Sequence, residues 1–126
     1  MLEIPPRQIL QALGEGVIGV DCQGLLTFLN PAALRLFGFP DEASVIGESA
    51  HALTHHTHPD GRPYPEQDCP IYQVLETGEP LEAWQDHVWR SDGSGFPVQV
   101  YANPLRDDQG ALTGAAAGPA PQLAAG

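Results

Sequence analysis

Apolar and polar positions fall into short blocks, each with its own period. Ile9, Leu10 and Leu13 recur at helical spacing behind Pro5-Pro6, which predicts a short helix over residues 5–13, stopped by Gly14 and Gly16. Residues 17–20 read as a strand, Asp21-Cys22-Gln23-Gly24 as a tight turn, and residues 25–29 as its hairpin partner. Asn30-Pro31 predicts a helix start, because Asn caps free N–H groups and Pro at the first position has none to lose. The helix over 32–37 turns Ala33, Leu34 and Phe37 inward, and Gly38 ends it. Residues 40–49 read as one or two helical turns, with Asp41-Glu42 at a favourable N-terminus. Residues 54–66 carry His55, His56, His58, Pro59, Asp60-Gly61, Pro63 and Pro65, which predicts an irregular loop. Asp68 is expected to cap a helix with Pro70 in its first turn, Ile71, Val74 and Leu75 on one face, and Gly78 as stop.

The remainder reads as β. Residues 81–90 and 96–103 flank the turn Ser91-Asp92-Gly93-Ser94-Gly95, and Phe96, Val98 and Val100 alternate cleanly. Asp107-Asp108-Gln109-Gly110 is a second turn and residues 111–117 the last strand. Period two sets Trp84, Asp86 and Val88 on one strand face and His87 and Trp89 on the other; one face must meet the core. The order of elements predicts an α+β domain, one antiparallel sheet with helices on one face. The expected domain is 1–118, followed by a flexible Pro/Ala/Gly tail over 119–126.

Composition narrows the classes of function. The chain has 126 residues, which fits one domain, and Gly 14 with Pro 13 favours turns and short elements. Sixteen acids against five bases give −11, and every base is Arg. Residues 39–92 hold eleven acids and two Arg, so −9 of the −11 lies in the middle of the chain. Phosphate neutralisation needs cations, so nucleic acid and anionic membrane surfaces are disfavoured partners. No apolar run approaches the roughly 20 residues of a membrane-spanning helix. Residues 1–6 lack the basic flank and apolar stretch of a secretory signal, which makes the cytoplasm the expected compartment. Cys22 and Cys69 make one bridge at most.

Three stretches resemble a known family. Gly16-Val17-Ile18-Gly19-Val20-Asp21 through Phe28-Leu29-Asn30-Pro31-Ala32-Ala33 is similar to the opening of PAS sensor domains. Trp89-Arg90-Ser91-Asp92-Gly93-Ser94-Gly95-Phe96-Pro97-Val98 resembles their "RxDGxxFPV" hairpin. His55-His56-Thr57-His58-Pro59-Asp60-Gly61-Arg62-Pro63-Tyr64-Pro65 with Asp68-Cys69-Pro70-Ile71 resembles a subset from bacterial sensor kinases and cyclic-dinucleotide enzymes. The resemblance covers roughly residues 5–117 and implies a five-stranded antiparallel sheet of order 2-1-5-4-3. It also implies a non-catalytic sensory role in two-component or cyclic-dinucleotide signalling: a ligand or partner is bound, and the change passes to a histidine kinase or cyclic-dinucleotide enzyme, in cis or in trans. One stretch departs from the pattern: Gly114-Ala115-Ala116-Ala117-Gly118-Pro119-Ala120-Pro121 stands where many relatives carry an Asp-Ile-Thr junction to a signalling helix.

Candidate chemistry centres on the loop. His55, His56, His58 and Cys69 offer a ligand set suited to zinc or iron, against a rigid surface loop with solvated histidines. A haem needs an axial ligand such as His aimed into an apolar pocket, and the helix before the third strand offers only Cys69 and Tyr72. The light-sensing flavin motif, a reactive cysteine ahead of an asparagine, is not present. No cofactor is required, and haem, flavin and zinc stay open. Cys69 near a helix N-terminus also suits a thiol switch or a small thiol or metal enzyme with a loop His as base, against a small buried apolar residue. Walker-type, Gly-x-Ser-x-Gly and His-Glu-x-x-His motifs are lacking.

The small side chains of residues 111–117 predict a cavity. Its expected lining is Leu34, Phe37, Ile71, Tyr72, Leu75, Leu112, Ala115 and Ala116. Ile9, Leu10 and Leu13 are candidate contacts of a homodimer.

Overall fold

The computed structural model describes residues 14–121. The expected helix over 5–13, with Ile9, Leu10 and Leu13, lies outside the described residues.

Strand β1 (Ile18–Asp21) and strand β2 (Leu26–Leu29) form the first hairpin. Its turn is closed by one carboxylate: Asp21 Oδ1 accepts from the backbone N–H of Gln23 at 2.8 Å and of Leu25 at 3.0 Å. The same device recurs at Asp107, whose Oδ1 accepts from Gln109 and Ala111 at 2.9 Å each. Asp-x-x-Gly therefore marks both turns by a mechanism visible in the sequence.

Helix α1 (Pro31–Phe37) starts as expected, with Pro31 in the first turn and the Asn30 side chain accepting from Ala33 N–H at 3.0 Å. Residues 40–49 hold one turn of helical type and no longer helix: Val45 and Ile46 N–H both reach the Glu42 carbonyl, and Asp41 Oδ1 caps the turn by accepting from Ser44 N–H at 2.8 Å. Glu42 also reaches outside the turn, its Oε2 accepting from the Leu29 N–H at 2.9 Å. Residues 47–49 lie instead against the free edge of β2, where Leu26 N–H reaches Glu48 O and Gly47 N–H reaches Leu26 O, both at 2.8 Å. The regular helix of this region comes later, as α2 (Ala50–Thr54), capped by the Ser49 hydroxyl on Ala52 N–H.

The loop that follows is irregular, as expected, with one bridge between Thr57 and Pro63. Helix α3 (Pro70–Thr77) does not use Asp68 as its cap. Residues Glu66–Asp68 form a 3-10 turn, and Cys69 is the N-cap, with no side-chain bond. Because the 3-10 turn takes Asp68 into its own backbone bonds, the helix starts one residue later.

Strands β3 (Leu81–Trp89), β4 (Gly95–Arg106) and β5 (Leu112–Pro121) complete one sheet of order β2-β1-β5-β4-β3, the expected topology, all antiparallel. β5 runs past the expected limit: Pro119 pairs with Val100 and Pro121 with Val98, so the tail does not begin at 119. Beyond Ala117 the β1 neighbour has ended, and β5 becomes an edge there, where a proline without an N–H costs nothing to the ladder.

Helices cover one sheet face. Cross-strand rows on that face run Ile18–Ala117–Ala102–Leu81, Pro119–Val100–Trp84, Pro121–Val98–Asp86 and Phe96–Val88. They meet Phe37, Val74 and Leu75 to make the core. The row containing Trp84 depends on a bulge. β3 spends three residues between Leu81 and Trp84 where β4 spends two, and Ala83 takes a left-handed φ of 50°. That extra residue lets Leu81 share the core-facing side with Trp84, Asp86 and Val88. Alanine is strained in this region, whereas glycine is not. Ala83→Gly is expected to raise stability by roughly 0.5–1 kcal/mol, since the strain relieved exceeds the added unfolded-chain entropy. A lower urea midpoint than wild type would contradict it.

Among the described residues no helix is long and apolar enough to cross a membrane.

Candidate functional site

A cavity of about 60 Å³ lies between α2, the first turn of α3 and the core face of the sheet. Of the expected lining, Phe37, Ile71 and Tyr72 border it. Leu34, Leu75, Leu112, Ala115 and Ala116 do not. Leu75 and Ala115 are buried in the core, Leu34 packs against it, and Leu112 and Ala116 are half-exposed. From β5 the cavity receives Ala117 and Pro119, because the strand is longer and its core-facing residues lie further along than a strand ending at 117 implies.

Ala115 is fully buried opposite Val20 and Pro104. Ala115→Val is therefore expected to overpack the core at a cost of about 1–3 kcal/mol. Ala116→Val, half-exposed on the other face, should stay within about 0.5 kcal/mol of wild type. Denaturant melts of the two variants check the contrast; equal losses would refute it.

Ionisable side chains gather at one end of this apolar space. His51, on α2, and His55, its C-cap, stand four residues apart with rings edge-on at 5.3 Å. Cys69, the N-cap of α3, brings its sulfur 3.3 Å from His55 Nδ1. The ligand atoms of His51, His55 and Cys69 all lie within 4.8 Å of one another, and all three residues are buried. From β3, Asp86 Oδ2 sits 2.9 Å from His55 Nε2, an ion-pair contact without hydrogen-bond alignment. The same oxygen accepts from Trp84 Nε1 at 3.0 Å. His51 Nε2 is 2.7 Å from the Tyr64 carbonyl and so donates to it, which leaves Nδ1 buried and without a hydrogen-bond partner.

The electrostatics follow from this geometry. Burial alone would push the Cys69 thiol up, but His51 and His55 overcome it and bring its pKa down to about 6. Burial alone would lower His55; the Asp86 carboxylate and the Cys69 sulfur outweigh it and raise His55 to about 9. Asp86 is held below the usual carboxylate range because its burial is more than offset by His55. His51 is raised despite burial, by Cys69 and by the Tyr64 carbonyl.

Two of the four expected loop ligands belong to this cluster and two do not. His55 and Cys69 meet. His56 is exposed, bonded to Thr57 and stacked on Trp89 at 6.0 Å. His58 stacks on Tyr64 at 4.2 Å. Both contacts lie within the loop or on Trp89, which ties the loop to the sheet edge by donating from Nε1 to the Thr57 carbonyl at 2.7 Å. His51 and Asp86 complete the group instead. The His-x-x-x-His spacing of residues 51–55 was the signal for His51, and the shared strand face with Trp84 and Val88 was the signal for Asp86.

A tricyclic flavin or a haem does not fit a space of this size, which takes a few water-sized molecules. A metal ion does fit, because one thiolate and two imidazoles are a borderline-soft donor set.

Among curated proteins none matches the sequence. Solved structures share the fold at low identity. An RNA-binding light-oxygen-voltage receptor is 20% identical with TM-score 0.73, covering 90% of this chain and 31% of that one. The chain thus spans about a third of that receptor's length. A PAS domain from Colwellia psychrerythraea is 14% identical with TM-score 0.72, covering 91% and 92%. The light-oxygen-voltage domain of a blue-light activated histidine kinase from Erythrobacter litoralis is 18% identical with TM-score 0.69, covering 89% and 99%. A family model described as the PAS fold matches residues 6–117.

Proposed function

Since the chain belongs to the PAS family of sensory signalling modules, we propose that it is a non-catalytic sensor whose input is received in the cavity between α2, α3 and the sheet. The output passes through contacts with a second copy or with a signalling partner such as a histidine kinase or a cyclic-dinucleotide enzyme. The cavity cluster carries this reading. Buried ionisable groups cost stability unless something uses them, and here three of them, His51, His55 and Cys69, converge with half-buried Asp86 at one end of an otherwise apolar space. The sheet face opposite the helices exposes Tyr101 and Leu105, a surface suited to a partner or a second copy.

The test is occupancy and its loss. Wild-type protein should carry or acquire a small species detectable by native mass spectrometry, with a rise in melting temperature. Ala117→Val, which narrows the cavity from β5, should fold and lose that response. A wild type that responds to no member of a panel of metabolites, anions and divalent metals would make the chain a plain interaction domain.

A second reading has one observation in its favour: Cys69, His55 and Asp86 form the chain of contacts of a nucleophile, its base and the group that orients the base. Against it stands access. Cys69 is 3% exposed, so an acyl or peptide substrate does not reach its sulfur in this conformation. Iodoacetamide is therefore expected to label exposed Cys22 first and Cys69 slowly, in spite of the lowered thiol pKa. Peptide mapping with time would show it; rapid labelling of Cys69 would favour the thiol reading.

A further inference from the structure

We propose that His51 Nδ1, His55 Nδ1 and Cys69 Sγ bind one divalent transition-metal ion of the zinc–cobalt–iron class, with a fourth position open to the cavity. The inference deepens the sensory reading and rests on it for its meaning: the metal would be what the cavity senses, or what holds the small molecule it senses.

The orientation of the two imidazoles carries the argument. A histidine that ligates metal through one nitrogen characteristically gives its other N–H to a backbone carbonyl or a carboxylate. His51 makes the first as a hydrogen bond, and His55 approaches the second as an ion-pair contact. His51 spends Nε2 on the Tyr64 carbonyl at 2.7 Å, and His55 sets Nε2 at 2.9 Å from Asp86 Oδ2. His55 thereby turns Nδ1 to the Cys69 sulfur at 3.3 Å, and His51 keeps Nδ1 unspent beside them. His51 Nδ1 is buried with no hydrogen-bond partner, in a residue 8% exposed. Such an atom costs stability unless a ligand takes its lone pair.

Distances and charge agree with this. Ligand atoms of a tetrahedral site with Zn–S and Zn–N bonds of ordinary length stand about 3.5 Å apart. His55 Nδ1 and Cys69 Sγ are at 3.3 Å, and the whole set lies within 4.8 Å, so closing the site needs side-chain adjustment rather than a change of fold. The Cys69 thiolate and the Asp86 carboxylate together balance a dication. Three protein ligands leave a fourth position for an exogenous ligand, whereas four closed ligands mark a structural site. Ile18, Val88 and Val100 wall the same cavity as the three ligands, and its volume admits a water, a small anion or a diatomic molecule at the fourth position.

The experiment uses the full chain purified without a histidine tag, stripped by chelator and titrated with Co²⁺ alone. The expected result is one Co²⁺ per chain, a sulfur-to-cobalt charge-transfer band in the near ultraviolet and intense visible absorption from a low-coordinate ion. Zn²⁺ should displace it. Cys69→Ser should remove the charge-transfer band and His51→Ala the stoichiometric binding. Asp86→Asn should weaken binding about 10-fold or more. His56→Ala and His58→Ala should bind like wild type. Should the ligand variants fold poorly, Zn²⁺ protection of Cys69, but not Cys22, from slow alkylation in wild type gives the same answer. A wild type without the band, a band that survives Cys69→Ser, or equal loss in His58→Ala would overturn the site. Metal binding with no change in oligomeric state or partner coupling would support the site and refute the sensory reading. A response to a small molecule in protein that gives no cobalt band would refute the site and leave the sensory reading standing.

Discussion

Phe37→Ala is expected to cost about 3–5 kcal/mol and to lower the melting temperature by on the order of 10–20 °C. Phe37 is 2% exposed and closes one wall of the cavity. Its ring lies 5.9 Å from Phe39 and 6.2 Å from Phe96, so it joins α1 to the sheet through an aromatic group that alanine cannot replace. Its carbonyl accepts from Ser91 N–H at 2.8 Å, which fixes the end of α1 against the β3–β4 turn and limits how far the backbone can settle into the void. The unrelaxed space adds to the loss of transfer energy. Phe37→Leu, which fills most of that space, should lose less than half as much. Urea melts of both variants check the prediction, and a Phe37→Ala loss below about 1.5 kcal/mol would mean that α1 collapses freely.

The second large effect is at Asn30, which is fully buried. Its Oδ1 accepts from Val17 N–H at 2.9 Å and from Ala33 N–H at 3.0 Å, while Nδ2 donates to the Glu15 carbonyl at 2.8 Å. One amide thus caps α1 and ties it to the segment entering β1. Asn30→Ala removes the cap and leaves buried backbone groups unpaired, an expected loss of about 2–4 kcal/mol. Asn30→Asp keeps the acceptor and loses the donor, so it should fall between the two. If Asn30→Ala lies within 1 kcal/mol of wild type in the same melts, water replaces the amide at roughly the cost of one ordinary hydrogen bond.

Local chemistry explains which parts of this structure could be read from residues alone. Asn30-Pro31, the Asp21–Gly24 and Asp107–Gly110 turns and the Gly78 stop act within a few residues of themselves, and each element stands where its signal lies. Helix α2 carries only one such signal, the Ser49 cap. Five residues are too few for a hydrophobic period, and the helix owes its position to the Ser49 cap and to the pairing of residues 47–49 with β2. Missing α2 also hid His51, whose spacing to His55 means something only on a helix. The place of the cavity along β5 is not legible in the residues for a related reason. Which alanines face it depends on how far the strand runs and on the bulge at Ala83, both consequences of pairing between distant segments. Asp86 illustrates the middle case: period two gave its face, and only the packing of α2 over that face gave its partner.

The bond from Trp84 to Asp86 has an optical consequence. The chain contains two tryptophans, and both lie on β3. Trp84 shares Asp86 Oδ2 with His55, and Trp89 stacks on His56 while holding Thr57. Tryptophan emission, excited apart from the three tyrosines, therefore reports on this edge of the molecule. Trp84 reads the carboxylate behind the cluster, and Trp89 reads whether the loop is seated. With Trp84→Phe and Trp89→Phe as single-emitter forms, an event inside the cavity and a release of the loop would appear as separate signals, without any label being attached.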